Sequence, residues 1–195
     1  MDPVELSDGR LLLRVPDVSD VPAILDACQD PEIERWTTVP SPYRRSDAES
    51  FVLRVVPEAW AQGRSAIFAV FDQPDDARVQ SPPSTGSPAS APPGLLGMVG
   101  LHDLAAAMGE LGYWVAPWAR RRGVAVGAAR MACQFGFEML GLQRIEWWAE
   151  VGNTASLRVA TKLGFSLEGT CRARLVHQGR RVDGWVAGLL PGGLR

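Results

Sequence analysis

Histidine and cysteine are scarce in this chain of 195 residues, which has two of the first and three of the second. His102 and His177 are far apart, and no His-Glu-x-x-His pair occurs, so a zinc protease is excluded and no metal is expected. Cys28, Cys133 and Cys171 are odd in number and lack the spacings of a zinc site or a redox pair, which points to a reducing, cytoplasmic setting. No stretch approaches the ~18–20 apolar residues of a membrane span. Asp2, Glu5, Asp8 and Arg10 precede any apolar run, so no secretory leader is expected. The Gly-x-Ser-x-Gly elbow, the phosphate-binding Gly-x-x-x-x-Gly-Lys-Ser/Thr loop and the Gly-x-Gly-x-x-Gly fingerprint are all missing, against a triad hydrolase, a P-loop ATPase and a Rossmann dehydrogenase. Lysine is nearly absent, Lys162 being alone among twenty basic residues. A formal charge of −2 leaves no general field to attract nucleic acid, so any anion binding must be local.

What is present reads as one mid-sized α/β domain over residues 1–195, 46% hydrophobic and without an internal repeat. Leu11-Leu12-Leu13-Arg14-Val15 predicts a first strand. Asp17, with Asp20 three residues on, opens a helix whose Val21, Ile24, Leu25 and Cys28 recur at helical spacing. Ser46-Asp47-Ala48-Glu49 has the form of a capping box before a second helix, which Pro57 should kink or end early. Ile67-Phe68-Ala69-Val70-Phe71 and the stretch 95–101 pair as a hairpin. Between them, residues 72–94 hold six prolines among Ser, Asp and Gly, too little apolar surface to offset ordering, so a mobile insertion is expected, with a lid as the alternative. Glu110-Leu111-Gly112-Tyr113-Trp114-Val115 is a strand, and a helix follows with Val124, Ala128, Met131, Phe135 and Met139 on its apolar stripe. Arg144-Ile145-Glu146-Trp147-Trp148-Ala149 is another strand. Asn153 caps a helix that stops at Gly164, and strands at 165–176 and 182–189 close a mixed sheet of order β-α-α-β-β-β-α-β-α-β-β.

The most informative run is Arg120-Arg121-Arg122-Gly123-Val124-Ala125, between a strand end and a helix start. Free N–H groups and the helix dipole favour an anion there, glycine permits close approach, and guanidinium groups suit phosphate oxygens. A solvated charged patch is the plainer alternative for Arg121 and Arg122.

Arg120-x-x-Gly123-x-Ala125 resembles the Gln/Arg-x-x-Gly-x-Gly/Ala signature of the GNAT superfamily of N-acetyltransferases. Gly100-Leu101-His102-Asp103, Glu110 to Pro117, Asn153-Thr154-Ala155-Ser156-Leu157-Arg158 and Lys162-Leu163-Gly164-Phe165 resemble its RimJ/RimL-type branch, which includes ribosomal-protein N-terminal acetyltransferases. The resemblance spans residues 11–190. It implies a mixed seven-stranded twisted sheet with a central splay, flanked by about four helices. It implies acetyl-CoA, or another acyl-CoA, as co-substrate. Val115, Arg120, Arg121, Arg122, Gly123, Val124, Ala125, Val126, Gly127, Asn153 and Ser156 would hold it. The acceptor would be an amine-bearing small molecule or a protein N-terminus, attacking directly in a ternary complex, and a homodimer is plausible by resemblance.

Within that frame Glu110 is the first choice for the base, a carboxylate paired with arginine being the alternative; Glu150 and His102 are weaker choices. The tyrosine many members place seven residues after the asparagine is Ala160 here, so Ser156 is the candidate for the departing thiolate. Thr161 replaces a glutamate common in the family. Those departures leave open a catalytically silent acyl-CoA-binding sensor. Trp36, in the connection between the first two helices, and Trp148 are the candidate walls of an acceptor pocket.

Overall fold

The computed structural model describes residues 1–73 and 94–195; the expected mobile insertion lies, apart from its ends, outside them. Among the described residues, eight strands form one sheet. They are β1 (Leu6–Ser7), β2 (Leu11–Arg14), β3 (Ala66–Asp72), β4 (Gly97–Ala105), β5 (Met108–Val115), β6 (Arg144–Glu150), β7 (Ser166–His177) and β8 (Arg180–Leu189). Their order is β1-β2-β3-β4-β5-β6-β8-β7, antiparallel throughout except for the parallel pair β5–β6. The strand beyond the seven expected is β1, whose two residues are too few to show a period of two.

Six α-helices occur among these residues rather than about four: α1 (Val21–Ala27), α2 (Pro31–Trp36), α3 (Arg45–Ser50), α4 (Val56–Ala61), α5 (Val124–Glu138) and α6 (Thr154–Leu163). Asp17 caps as expected, and with Asp20 it forms a capping box over a 3-10 turn at Val18–Asp20 that leads into α1. Asp20 is buried beneath the Arg14 guanidinium, which donates to both its oxygens at 2.8 and 2.9 Å. The connection between α1 and α3 is irregular only over residues 37–44: before it, Asp30 caps α2, accepting from the N–H groups of Glu32 and Ile33, and Trp36 is the last residue of that helix.

The expected capping box at Ser46–Glu49 shifts by two residues. Asp47, not Glu49, reaches back, accepting from the Arg44 N–H at 2.7 Å, while Glu49 pairs with Arg45 at 2.8 Å. Pro57 does not end the helix. A π turn at Phe51–Val55 precedes α4 and lets the Val56 N–H reach the Phe51 carbonyl, so the chain passes the proline without a break.

The core lies between the sheet and α5. Trp60, Phe68 and Phe135 meet with ring centroids 5.3 to 6.3 Å apart, two of the three contacts edge-on. A side chain at Gly136 of α5 would stand 2.7 Å from Leu101, so its absence lets the helix settle on β4. Met139, expected on the buried stripe, is 71% exposed, because α5 ends one residue earlier and small residues (Ala128, Ala129, Ala132) carry the contact instead.

Candidate active site

The site begins where two strands part. Parallel pairing of β5 with β6 runs through Met108↔Arg144, Gly109↔Ile145 and Glu110↔Glu146 and stops there, although β5 continues to Val115 and β6 to Glu150. The result is the expected splay, with strand backbone facing a slot. Side chains alternate across it. Glu110, Gly112 and Trp114 share one face with Glu146, Trp148 and Glu150; Tyr113 and Trp147 point to the other, where α6 packs.

Beyond Val115 the chain turns through Pro117–Ala119 and the arginine run into α5. Gly123 is the residue before α5 and has φ of +76°, the left-handed region that glycine enters without strain. No side chain caps α5, and its first intrahelical bond runs from the Gly127 N–H to the Gly123 carbonyl at 3.0 Å. The N–H groups of Val124, Ala125 and Val126 are therefore available to an anion. Gly127 serves packing: a Cβ there would stand 2.8 Å from Leu11 of β2.

The three arginines divide in role. Arg120 lies against Asp30, with Nη2 at 2.5 Å from Oδ1, and also reaches the Val115 carbonyl at 3.3 Å. Burial pushes the Asp30 carboxyl up, but the Arg120 bond and the α2 N–H groups outweigh it and hold that carboxyl below its ordinary value. Arg122 donates to both oxygens of Asp72, at 3.0 and 2.9 Å, while its carbonyl accepts from Arg10 at 2.8 Å. Arg121, exposed and at φ of +61°, makes no hydrogen bond or ion pair among the described residues. Arg120 and Arg122 thus fasten the loop, and Arg121 is the guanidinium open to a ligand. Arg10, read in the sequence only as an early charge, brings a second guanidinium to the loop, 3.8 Å from the Cβ position of residue 123.

On the α6 side, Asn153 caps the helix by accepting from the Ser156 N–H at 3.1 Å. The Ser156 hydroxyl lies 2.7 Å from the Tyr113 phenol oxygen and accepts from the Trp147 indole N–H at 3.0 Å. It therefore spans the two strands just beyond their point of divergence. Tyr113 was missed in the sequence because only its strand position was legible. Burial pushes its phenol up to about 12, and the Ser156 bond pulls it down only in part.

On the opposite face Glu110 is half-buried and has no hydrogen-bond partner among the described residues. Burial, then the neighbouring Asp103 and Glu146 carboxylates, push its carboxyl above the ordinary value, with Arg174 opposing. Glu146 is occupied by Arg144 and by the Trp148 indole, each at 3.0 Å. His102, paired in register with Glu110, is held below its ordinary pKa by burial and lies over Gly100 and Gly112, where any Cβ would stand 2.9 to 3.0 Å from its ring. Glu150 is not solvated: Arg35 grips it at 2.7 Å through both nitrogens and depresses its pKa.

Trp148 carries the Arg174 guanidinium 5.0 Å from its ring, on the Glu110 face. Trp36 lies under Arg35 at 4.1 Å and donates to Glu32. Neither lines the cavity of about 350 Å³ on that face, whose walls include Trp114, Tyr43, Phe51, Ile24 and Cys28. Among the described residues no cluster of three or more His, Cys, Asp or Glu could hold a metal ion, and no helix is long and apolar enough to cross a membrane.

A sheet splayed between β5 and β6, an uncapped helix start after β5 and a half-buried carboxylate without a partner among the described residues make up the site. Residues 10–166 match the acetyltransferase (GNAT) domain, and the chain belongs to that family. It is 36% identical to YdaF of Bacillus subtilis, provisionally named a ribosomal N-acetyltransferase, over 91 residues, 46% of this chain and 50% of that protein. The match thus spans about half of that relative. Among solved structures, a provisionally named ribosomal-protein-serine acetyltransferase from Vibrio cholerae superposes with a TM-score of 0.78 at 24% identity, covering 98% of this chain and all of that one. The spermidine N-acetyltransferase of Vibrio cholerae, solved with CoA and spermine, gives 0.72 at 20% identity, covering 95% and 98%.

Proposed function

We propose that this protein is an N-acetyltransferase that moves an acetyl group from acetyl-CoA to a primary amine by direct attack in a ternary complex. The observation that carries the reading is the splay after Glu110↔Glu146, with the open α5 N-terminus at one end and unpaired Glu110 at the other. The N–H groups of Val124, Ala125 and Val126, with Arg121 and Arg10 beside them, fit a pyrophosphate. The free edges of β5 and β6 fit the amide-bearing arm that joins pyrophosphate to thioester.

The chemistry follows from placement. An amine on the Glu110 face meets the acyl carbon at short range, which supplies much of the rate by orientation alone. Nitrogen bonds to the acyl carbon, the carbon–sulfur bond breaks, and its electron pair stays on sulfur. The ammonium gives one proton to Glu110 before attack, the raised pKa of that carboxyl bringing it nearer the working pH than an ordinary carboxylate; the nitrogen loses a second to solvent as the amide forms, and solvent returns one to the thiolate to give free CoA thiol. Ser156 stabilises the departing sulfur by hydrogen bonding. Support for an amine acceptor, whether a protein N-terminus or a small amine, comes from the ribosomal and spermidine acetyltransferases to which the chain is similar. The free thiols of Cys28, Cys133 and Cys171 suit a cytoplasmic setting.

The test is a thermal shift with acetyl-CoA followed by release of free CoA thiol against a panel of amines and peptides. A rise in Tm and amine-dependent thiol release are expected. No shift at millimolar acetyl-CoA would overturn the reading.

A further inference from the structure

We propose that Tyr113 and Trp147 are positioning residues that occupy both lone pairs of the Ser156 hydroxyl and thereby leave its single proton for the sulfur of the acyl donor. The proposal rests on the acetyl-transfer reading above and adds two residues to it.

The argument is one of donors and acceptors. An indole N–H can only donate, so the 3.0 Å contact from Trp147 uses one lone pair of Ser156 Oγ. The 2.7 Å contact with Tyr113 has two possible directions. A phenol is a stronger acid than an aliphatic hydroxyl and hence the better donor of the two, so Tyr113 donates and uses the second lone pair. The alternative target of that phenol, the Ser156 carbonyl, is 3.3 Å away and beyond the usual O–H to O distance.

With both lone pairs taken, Ser156 Oγ can act only as a donor. Apart from the Tyr113 oxygen, assigned above as the donor, no acceptor for its hydrogen is present among the described residues. Tyr113 and Trp147 belong to the diverging parts of β5 and β6, so the hydroxyl is held from both walls of the slot at once. Its backbone is fixed as well, because the Asn153 side chain accepts from the Ser156 N–H. An aliphatic hydroxyl is too weak an acid to surrender its proton to a thiolate. Ser156 therefore shares the proton and keeps it, and the sulfur is protonated later by solvent. The contact strengthens as negative charge grows on sulfur, which makes it selective for the transition state. The missing family tyrosine at Ala160 is thus answered by a phenol on β5 acting through Ser156.

The experiment is a double-mutant cycle with Tyr113→Phe, Ser156→Ala and the pair, measuring kcat and the KM for acetyl-CoA, with Ser156→Thr as the conservative control. Ser156→Ala should lower kcat roughly ten- to a hundredfold, the range for a hydrogen bond to a charged group. Tyr113→Phe should lower kcat about tenfold with KM within about twofold, and the pair should match Ser156→Ala alone. Ser156→Thr should recover most of the rate. Additive losses, or an unchanged kcat in Tyr113→Phe, would overturn the proposal. A second readout needs no turnover: exchange of the Trp147 indole N–H in the ligand-free protein, followed by NMR. It should be slower in the wild type than in Ser156→Ala, and equal rates would overturn the clamp. If the chain binds CoA but transfers nothing, the proposed activity fails while the indole exchange still decides the clamp.

Discussion

Gly123 offers a way to separate backbone geometry from charge at the anion cradle. Its φ of +76° costs an L-residue about 1–2 kcal/mol, and the space around it is open, the nearest atom to an added Cβ being an Arg10 nitrogen at 3.8 Å. Gly123→Ala therefore carries the backbone cost without a clash, and Tm should fall by roughly 2–8 °C at the usual conversion for a chain of this size. Gly123→Glu carries the same cost, but its carboxylate sits at the positive end of α5 and recovers about 0.3–1 kcal/mol in the free protein. Toward CoA the order reverses. A carboxylate about 4 Å from a phosphate repels it by about 1 kcal/mol in water and about 4 kcal/mol at an effective dielectric of 20. Residue 123 is exposed, so the lower part of that range applies, and CoA affinity should fall about tenfold below that of Gly123→Ala. Calorimetric titration at two salt concentrations, with thermal denaturation of the free proteins, reads both quantities, and the gap in affinity should narrow as salt rises. The glutamate variant should be the more stable and the weaker binder. Equal CoA affinities for the two folded variants would remove the pyrophosphate from the start of α5.

Three further outcomes are expected. Glu110→Gln should lower kcat by roughly a hundredfold and remove an acid limb of the pH–rate profile lying above the ordinary carboxylate range, because Glu110 must be ionised to accept a proton and burial holds its pKa up. The sign for stability is opposite: an ionised group with a raised pKa costs the folded state, so the glutamine variant should melt at or above the wild type at neutral pH. That gap should close below the unfolded pKa of about 4.3, as thermal melts across pH would record. Asp30→Ala should destabilise by about 1–3 kcal/mol in chemical denaturation, since it removes the α2 cap and leaves Arg120 half-buried without its partner; CoA affinity should drop as the loop loosens. Gly127→Val should cost about 1–3 kcal/mol through overpacking, because its Cβ would press on fully buried Leu11 from 2.8 Å, and a lowered denaturant midpoint would register it.

What was legible in the sequence was whatever neighbours along the chain decide. Asn153 and Gly164 bound α6 because a cap and a left-handed stop act on adjacent residues. Gly123 before α5 and Glu110 on β5 were legible for the same reason. The duties of the arginines were not. Arg120 meets Asp30 from 90 residues away and Arg122 meets Asp72 from 50, so a run that looks like three phosphate ligands contains two structural ties. Tyr113 escaped notice because its partner Ser156 comes from another element, 43 residues on, and nothing local marks a strand tyrosine as facing a helix serine. The helical setting of Trp36 is not legible, because α2 has only six residues, too few for a periodic signal. Pro57 misled through a rule that holds for α-helical hydrogen bonding but not for the wider π turn before it.

The ties from Arg120 to Asp30 and from Arg122 to Asp72, with Arg10 on the Arg122 carbonyl, make the donor site a junction between distant parts of the chain. Binding at a junction is linked to the docking of the parts that meet there. Bound CoA should therefore slow hydrogen exchange in α2, an element with no proposed contact to the ligand, by holding its cap in place through Arg120. During synthesis the order matters too: the first 73 residues emerge before the arginine loop, so the nascent chain completes its anchor points before it makes the cradle that depends on them.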